Sequence, residues 1–130
     1  MKKTIVILIL ALMAGLTVSA QKAEIMYFKA DLACCRERAC NDLESEVKAV
    51  IESNFKNGDV KFSSIKISDE ANKGLVEKFN ARSQTVVVVA KKRRDETVVD
   101  VSDIVRNFSR NRDKALLEKE LLAKVSECIK

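Results

Sequence analysis

The 130-residue chain has no histidine and no proline. Histidine is the side chain whose unperturbed titration falls between about pH 5 and 8. Without it, a proton carrier or soft nucleophile near neutral pH must be sought among the four cysteines. The absence of proline leaves no rigid hinge, and no linker, low-complexity tract or internal repeat interrupts the chain. A strong excess of one charge is also missing. The 24 basic residues face 19 acidic ones, for a net charge of +5, which drops by two once Lys2 and Lys3 are removed with the leader described below. A balance so small and so mixed argues for no nucleic acid partner, and the apolar fraction of 47% is that of one ordinary globular domain.

The first residues have the pattern of a secretory signal peptide. Lys2-Lys3 is a short positive start, Thr4 to Leu16 is a nearly unbroken apolar run, and Val18-Ser19-Ala20 offers small residues to a signal peptidase. Cleavage is expected after Ala20, so residues 1–20 are leader and residues 21–130 the mature domain. The run is shorter than the roughly 20 residues of a spanning helix, which predicts no stable membrane insertion after the leader is removed. No cysteine lies at the cut to accept a lipid. The mature chain is therefore expected to be periplasmic or secreted, where thiols meet an oxidising environment.

The mature sequence alternates strand and helix patterns. Ala23 to Ala30, with Ile25, Met26, Tyr27 and Phe28 in succession, predicts a strand covered on both faces. Leu43, Val47, Val50, Ile51 and Phe55 recur at helical spacing up to a stop at Asn57-Gly58-Asp59. Val60 to Ile67 predicts a second strand, irregular near Ser63-Ser64. A helix capped by Ser68 or Asp69 follows, with Ala71, Leu75, Val76 and Phe79 as its stripe. Four consecutive valines make Gln84 to Ala90 a third strand. Lys91 to Asp95 is then a basic hairpin tip and Thr97 to Val101 the return strand. The tip could serve phosphate or membrane contact, although basic turns are more often merely solvated. Ser102 caps a short helical turn through Phe108, and a last helix from about Asp113 carries Leu117, Leu121, Val125 and Cys128 on one face, with Leu116 and Leu122 beside it. This order predicts an α/β fold with a four-stranded mixed sheet flanked by helices.

Between the first strand and the first helix lies Leu32-Ala-Cys-Cys-Arg-Glu-Arg-Ala-Cys40, with three of the four thiols. Cys40 precedes Leu43 by three residues and Val47 by seven, so it shares their shielded face. The chemistry depends on where the helix starts. A start at Leu32 would put Cys35 and Cys40 about 7.5 Å apart along the axis and about 140° apart around it, too far for a disulfide. A start near Asn41, capped by Asn41 with Glu44, would leave Cys34 to Ala39 as a loop free to fold back. The loop is the expectation adopted, because it lets the helix amides, Arg36 and Arg38 stabilise a thiolate at Cys34 or Cys35 while Cys40 acts as resolving thiol. Cys40 as a plain core residue, or one of a structural pair, is the bland alternative. Cys128 is expected to be a buried hydrophobe, although an odd thiol could also pair between chains.

The element order and the position of these thiols resemble the thioredoxin-like superfamily. More narrowly, Tyr27-Phe28 before the cysteines, Asn41-Asp42-Leu43-Glu44 in the helix and Ser83-Gln84-Thr85 before the valine strand are similar to small secreted thioredoxin-like proteins of the ArsF type, associated with arsenic-resistance gene clusters. The resemblance implies thiol-disulfide redox chemistry with a thiol or disulfide protein partner. This chain departs from the pattern twice. The usual Cys-x-x-Cys is replaced by Cys-Cys-x4-Cys, and Gln84 stands where the resemblance implies a cis-proline facing the disulfide. No cofactor is required for this reading. The alternative is a soft ion, arsenite or copper(I), held by Cys34, Cys35 and Cys40 as thiolates, with Gln84 relaxing the crowding opposite. A third reading is a non-enzymatic partner subunit of a membrane or periplasmic system, presenting the basic turn and the region around Arg106, Arg110, Asn111 and Arg112.

Overall fold

A computed structural model describes residues 22–31, 34–92 and 94–130, and for residues 34–37 the backbone alone. The expected leader lies outside the described residues. The elements run β1 (Ala23–Lys29), α1 (Cys34–Asn54), β2 (Val60–Lys66), a 3-10 turn (Glu70–Asn72) leading into α2 (Lys73–Lys78), β3 (Val86–Lys92), β4 (Asp95–Asp100), α3 (Ser102–Asn111) and α4 (Lys114–Ile129). The sheet order is β2-β1-β3-β4. β1 runs parallel to β2 and antiparallel to β3, and β4 returns antiparallel beside β3. This is the four-stranded mixed sheet flanked by helices that the sequence pattern predicts.

The sheet is apolar on both faces because its two central strands are. Along β1, Ile25 and Tyr27 point to one side and Met26 and Phe28 to the other, as the two-residue repeat of a strand requires. In β3, Val86, Val88 and Ala90 join Ile25 and Tyr27 in a core closed by Leu43, Val47 and Ile51 of α1, Val105 and Phe108 of α3, and Leu117, Leu121 and Val125 of α4. Val87 and Val89 join Met26, Phe28 and Ile65 in a smaller core covered by Leu75, Val76 and Phe79. Each fully buried side chain of this size contributes roughly 1.5–3 kcal/mol. The larger face, with most of them, does most to hold the domain together.

Several local expectations are corrected. β2 shows no irregularity at Ser63-Ser64, where Met26 pairs with Ser63 and Tyr27 with Ser64 in unbroken register. The Ser63 hydroxyl is instead used by Glu24. Ala71 is exposed because the segment it occupies is the 3-10 turn, whose three-residue repeat takes it off the stripe. Asp69 caps that turn, its carboxylate accepting from the Ala71 amide at 3.1 Å. α1 ends at Asn54 rather than at Asn57, and Gly58, at φ +81°, turns the chain toward β2. Ser102 is not a cap, since α3 begins with it and runs for 10 residues. Its buried hydroxyl accepts from the Val86 amide at 2.9 Å and so ties α3 to the start of β3. The hairpin tip is tighter than expected, with Lys91 and Lys92 in β3 and Lys92 directly opposite Asp95.

Candidate functional site

β1 is an inner strand, and four residues separate its last, Lys29, from the opening of α1 at Cys34 and Cys35. Two of the three clustered thiols thus belong to the first turn of a 21-residue helix. The unpaired amides and the dipole of such a turn favour negative charge within about one turn, and a thiol placed there is more readily ionised. The side chains of Cys34, Cys35 and Arg36 lie outside the described residues, so the backbone alone positions them. Arg38, one turn further on, is exposed.

The loop expected from Cys34 to Ala39 is overturned. The helix is continuous from Cys34 to Asn54, eliminating the start near Asn41. Arg36, Glu37, Arg38 and Ala39 are all good helix formers, and Glu44 is engaged elsewhere, its carboxylate 3.0 Å from Lys29 Nζ. Asn41 serves the helix interior, with its carbonyl accepting from the Ser45 hydroxyl at 2.9 Å. The consequence for the thiols follows from helix dimensions. Adjacent Cys34 and Cys35 have Cα atoms about 3.8 Å apart, closer than the roughly 4.4 Å a disulfide usually needs. Cys40 is separated along the axis from Cys35 by about 7.5 Å and from Cys34 by about 9 Å, both beyond the upper bound of about 6.8 Å. With this helix intact, Cys40 cannot resolve a disulfide at Cys34 or Cys35, nor can three thiolates converge on one ion.

Cys40 has a different set of partners. It is 2% exposed and belongs to the larger core, as its spacing predicts. The fully buried Tyr27 hydroxyl donates to the Cys40 carbonyl at 3.3 Å and lies 3.4 Å from its Sγ. The phenol has one proton to give. If the carbonyl takes it, the thiol proton is left to be shared with the phenol oxygen, and both groups are satisfied. Burial, then the bond to Cys40, raises the Tyr27 pKa far above its ordinary value. The tyrosine was missed in the sequence as a site residue. It shares a strand face with Ile25, and Cys40 shares a helix face with Leu43, so the meeting of the two was implicit in the two repeats.

Outside this contact lies a polar cleft of about 120 Å³, lined by Lys29, Ala30, Asp31, Cys40, Asn41 and Lys66. Asp31 is held there by the Ser68 hydroxyl at 2.8 Å. Gln84 sits at the same end of the sheet, bonded to Phe28 at the end of β1, at φ +66°. Its amide donates to the Phe28 carbonyl at 2.9 Å, while the Phe28 amide donates to Thr85 at 2.8 Å. A proline could not supply the first of these bonds. Cys128 is remote from this end, buried at 5% exposure in the last turn of α4, and unpaired like Cys40. Burial, with Glu127 nearby, pushes its thiol pKa up, against smaller opposing contributions from Lys124 and Lys92. Among the described residues no group of three cysteine, aspartate or glutamate side chains is gathered as a metal site.

No family model matches the chain, and no curated protein matches it. Solved structures similar to the chain include a thioredoxin and a malarial protein. A thioredoxin from Thermus thermophilus is 15% identical, with 82% of each chain covered and a TM-score of 0.43. A malarial protein is 16% identical over 69% of this chain and 97% of its own, with a TM-score of 0.40.

Proposed function

We propose that the chain is an exported thioredoxin-like protein that carries out thiol-disulfide exchange through Cys34 and Cys35. The observation that carries this reading is the opening of α1 at Cys34, just past the end of an inner strand. A thiolate at either position attacks a partner disulfide, forming a mixed disulfide and releasing the partner's other sulfur as a thiolate. An external thiolate then attacks the mixed disulfide, which regenerates the cysteine and leaves a new disulfide on the outgoing pair. Electrons balance because one disulfide is consumed and one is formed. Cys40 stays outside this cycle, bonded to Tyr27 inside the core. The leader pattern supports export, and the similarity to ArsF-type proteins supports a soft-ion role in place of exchange. That second role with three thiolates requires the first two turns of α1 to unwind, so exchange is the reading favoured.

The test is incubation of the reduced, exported protein with glutathione disulfide, followed by peptide mapping. Adducts are expected at Cys34 or Cys35 and not at Cys40 or Cys128. The Cys34→Ser/Cys35→Ser double variant should form none. Adducts confined to Cys40 or Cys128, or an unreactive native protein, would refute the proposal. Uptake of one equivalent of arsenite that depends on Cys40 would favour the ion reading instead.

A further inference from the structure

The basic run at the hairpin is unused by this chemistry, and the fold changes its meaning. Lys91 and Lys92 end β3, and the Lys91 amide donates to the Lys22 carbonyl at 3.1 Å, next to the start of β1. The last helix ends at the same place. Lys22, Lys91, Lys92, Asp95, Ile129 and Lys130 line one open groove of about 510 Å³, so lysines from three separate stretches converge around a single aspartate and one aliphatic side chain. Arg94, at the tip, is exposed as well. Asp59, 3.4 Å from Lys22, offsets part of that lysine's charge, whereas Glu96 lies 2.6 Å from Lys78, outside the groove.

We propose that this end of the sheet docks on an anionic phospholipid surface. One further observation favours a bilayer over a soluble acidic partner. The groove is open and wide, with lysines on flexible stems around the half-buried Ile129, which suits a fluid array of headgroups more than a fixed acidic segment. Docking leaves the start of α1 at the other end of β1 from the bilayer. β1 is seven residues long, about 20 Å at strand spacing, and separates Lys22 from the start of α1 by more than the Debye length of about 10 Å at 0.1 M salt. The docking itself does not rest on the exchange reading.

The experiment is co-sedimentation of the exported protein with vesicles of phosphatidylcholine alone and of phosphatidylcholine with about one third phosphatidylglycerol. Each lysine near an anionic surface is worth about fivefold in partitioning. The variant K91E/K92E/K130E should therefore bind the anionic vesicles at least about a hundredfold more weakly, and K91Q/K92Q/K130Q should fall between it and the native chain. Raised salt should weaken native binding. A control with the same change of charge elsewhere, K73E/R110E/K119E at exposed positions, should retain binding within about twofold. Equal loss in the control would overturn the proposal by reducing it to net charge. Absent binding to anionic vesicles, equal binding to both vesicle types, or capture by a soluble polyanion without any by vesicles would overturn it too.

Discussion

The contact between Tyr27 and Cys40 makes a measurable prediction about which thiols a reagent can reach. Cys40 is 2% exposed, so alkylation must wait for the second turn of α1 to open. Opening breaks the phenol's bond to the Cys40 carbonyl, worth about 1 kcal/mol net, and exposes a small apolar side chain, worth about another 1 kcal/mol. A floor of roughly 2 kcal/mol means a protection of at least about 30-fold relative to a freely accessible thiol. Tyr27→Phe removes the phenol bond while keeping the ring. It should speed labelling of Cys40 about fivefold, the equivalent of about 1 kcal/mol. Cys128, in the last turn of α4, opens through its own helix end and serves as an internal reference unaffected by the change. The assay is alkylation by iodoacetamide at fixed pH, quenched over time and read peptide by peptide by mass spectrometry. Labelling of Cys40 as fast as Cys34 and Cys35, or a Cys40 rate unmoved by Tyr27→Phe, would refute the reasoning.

Three further outcomes test the packing and the linkage to pH. Ser102→Ala leaves the buried Val86 amide without its acceptor and should cost about 1–3 kcal/mol, measured as a lowered urea midpoint at unchanged slope, while Ser102→Thr keeps the hydroxyl and most of the stability. Leu121→Ala, at a fully buried position, should cost about 3–5 kcal/mol, whereas Leu116→Ala on the exposed side of the same helix should stay within about 0.5 kcal/mol, both by thermal melts. Burial raises the folded-state pKa of Cys128 above the ordinary 9.0, so the fold favours its neutral thiol. That contribution is whole below the ordinary value and is lost as pH rises through the folded one. Stability should therefore fall on the alkaline side of 9.0, and Cys128→Val should flatten that limb in pH-dependent denaturation. An unchanged limb would assign the loss to other groups.

The sheet was legible because its signals are redundant. Four valines in a row with turn residues on both sides admit no helix, and Ile25 to Phe28 must be covered on both faces wherever they lie. The final helix was equally plain, since Leu117, Leu121, Val125 and Cys128 share one stripe and Asp113 caps it, accepting from the Leu116 amide at 3.1 Å. The helix start at the cysteines was not legible in the same way. Asn41 and Glu44 have the spacing of a cap, and only tertiary structure reveals that Glu44 is drawn to Lys29, fifteen residues back. Ser102 misled for a similar reason. A serine ahead of an apolar stripe looks like a cap until a strand amide from sixteen residues earlier claims its hydroxyl.

The same tertiary pull decides the chemistry available to the thiols. A loop would have made Cys40 an internal resolving group, and the chain could then have stored two electrons by itself. A helix that reaches Cys34, with Cys40 turned inward against Tyr27, removes that option without removing the nucleophile. An attacking thiol at a helix start needs only its local amides and an accessible partner, whereas a stored disulfide needs two sulfurs within reach of one another. The described backbone has a helix start at Cys34 and does not bring Cys40 within reach of it, so under the proposed exchange reading mixed disulfides should persist until an external thiol arrives. Their lifetime should then scale with the concentration of that thiol. A lifetime independent of it would mean that α1 unwinds to bring Cys40 into play.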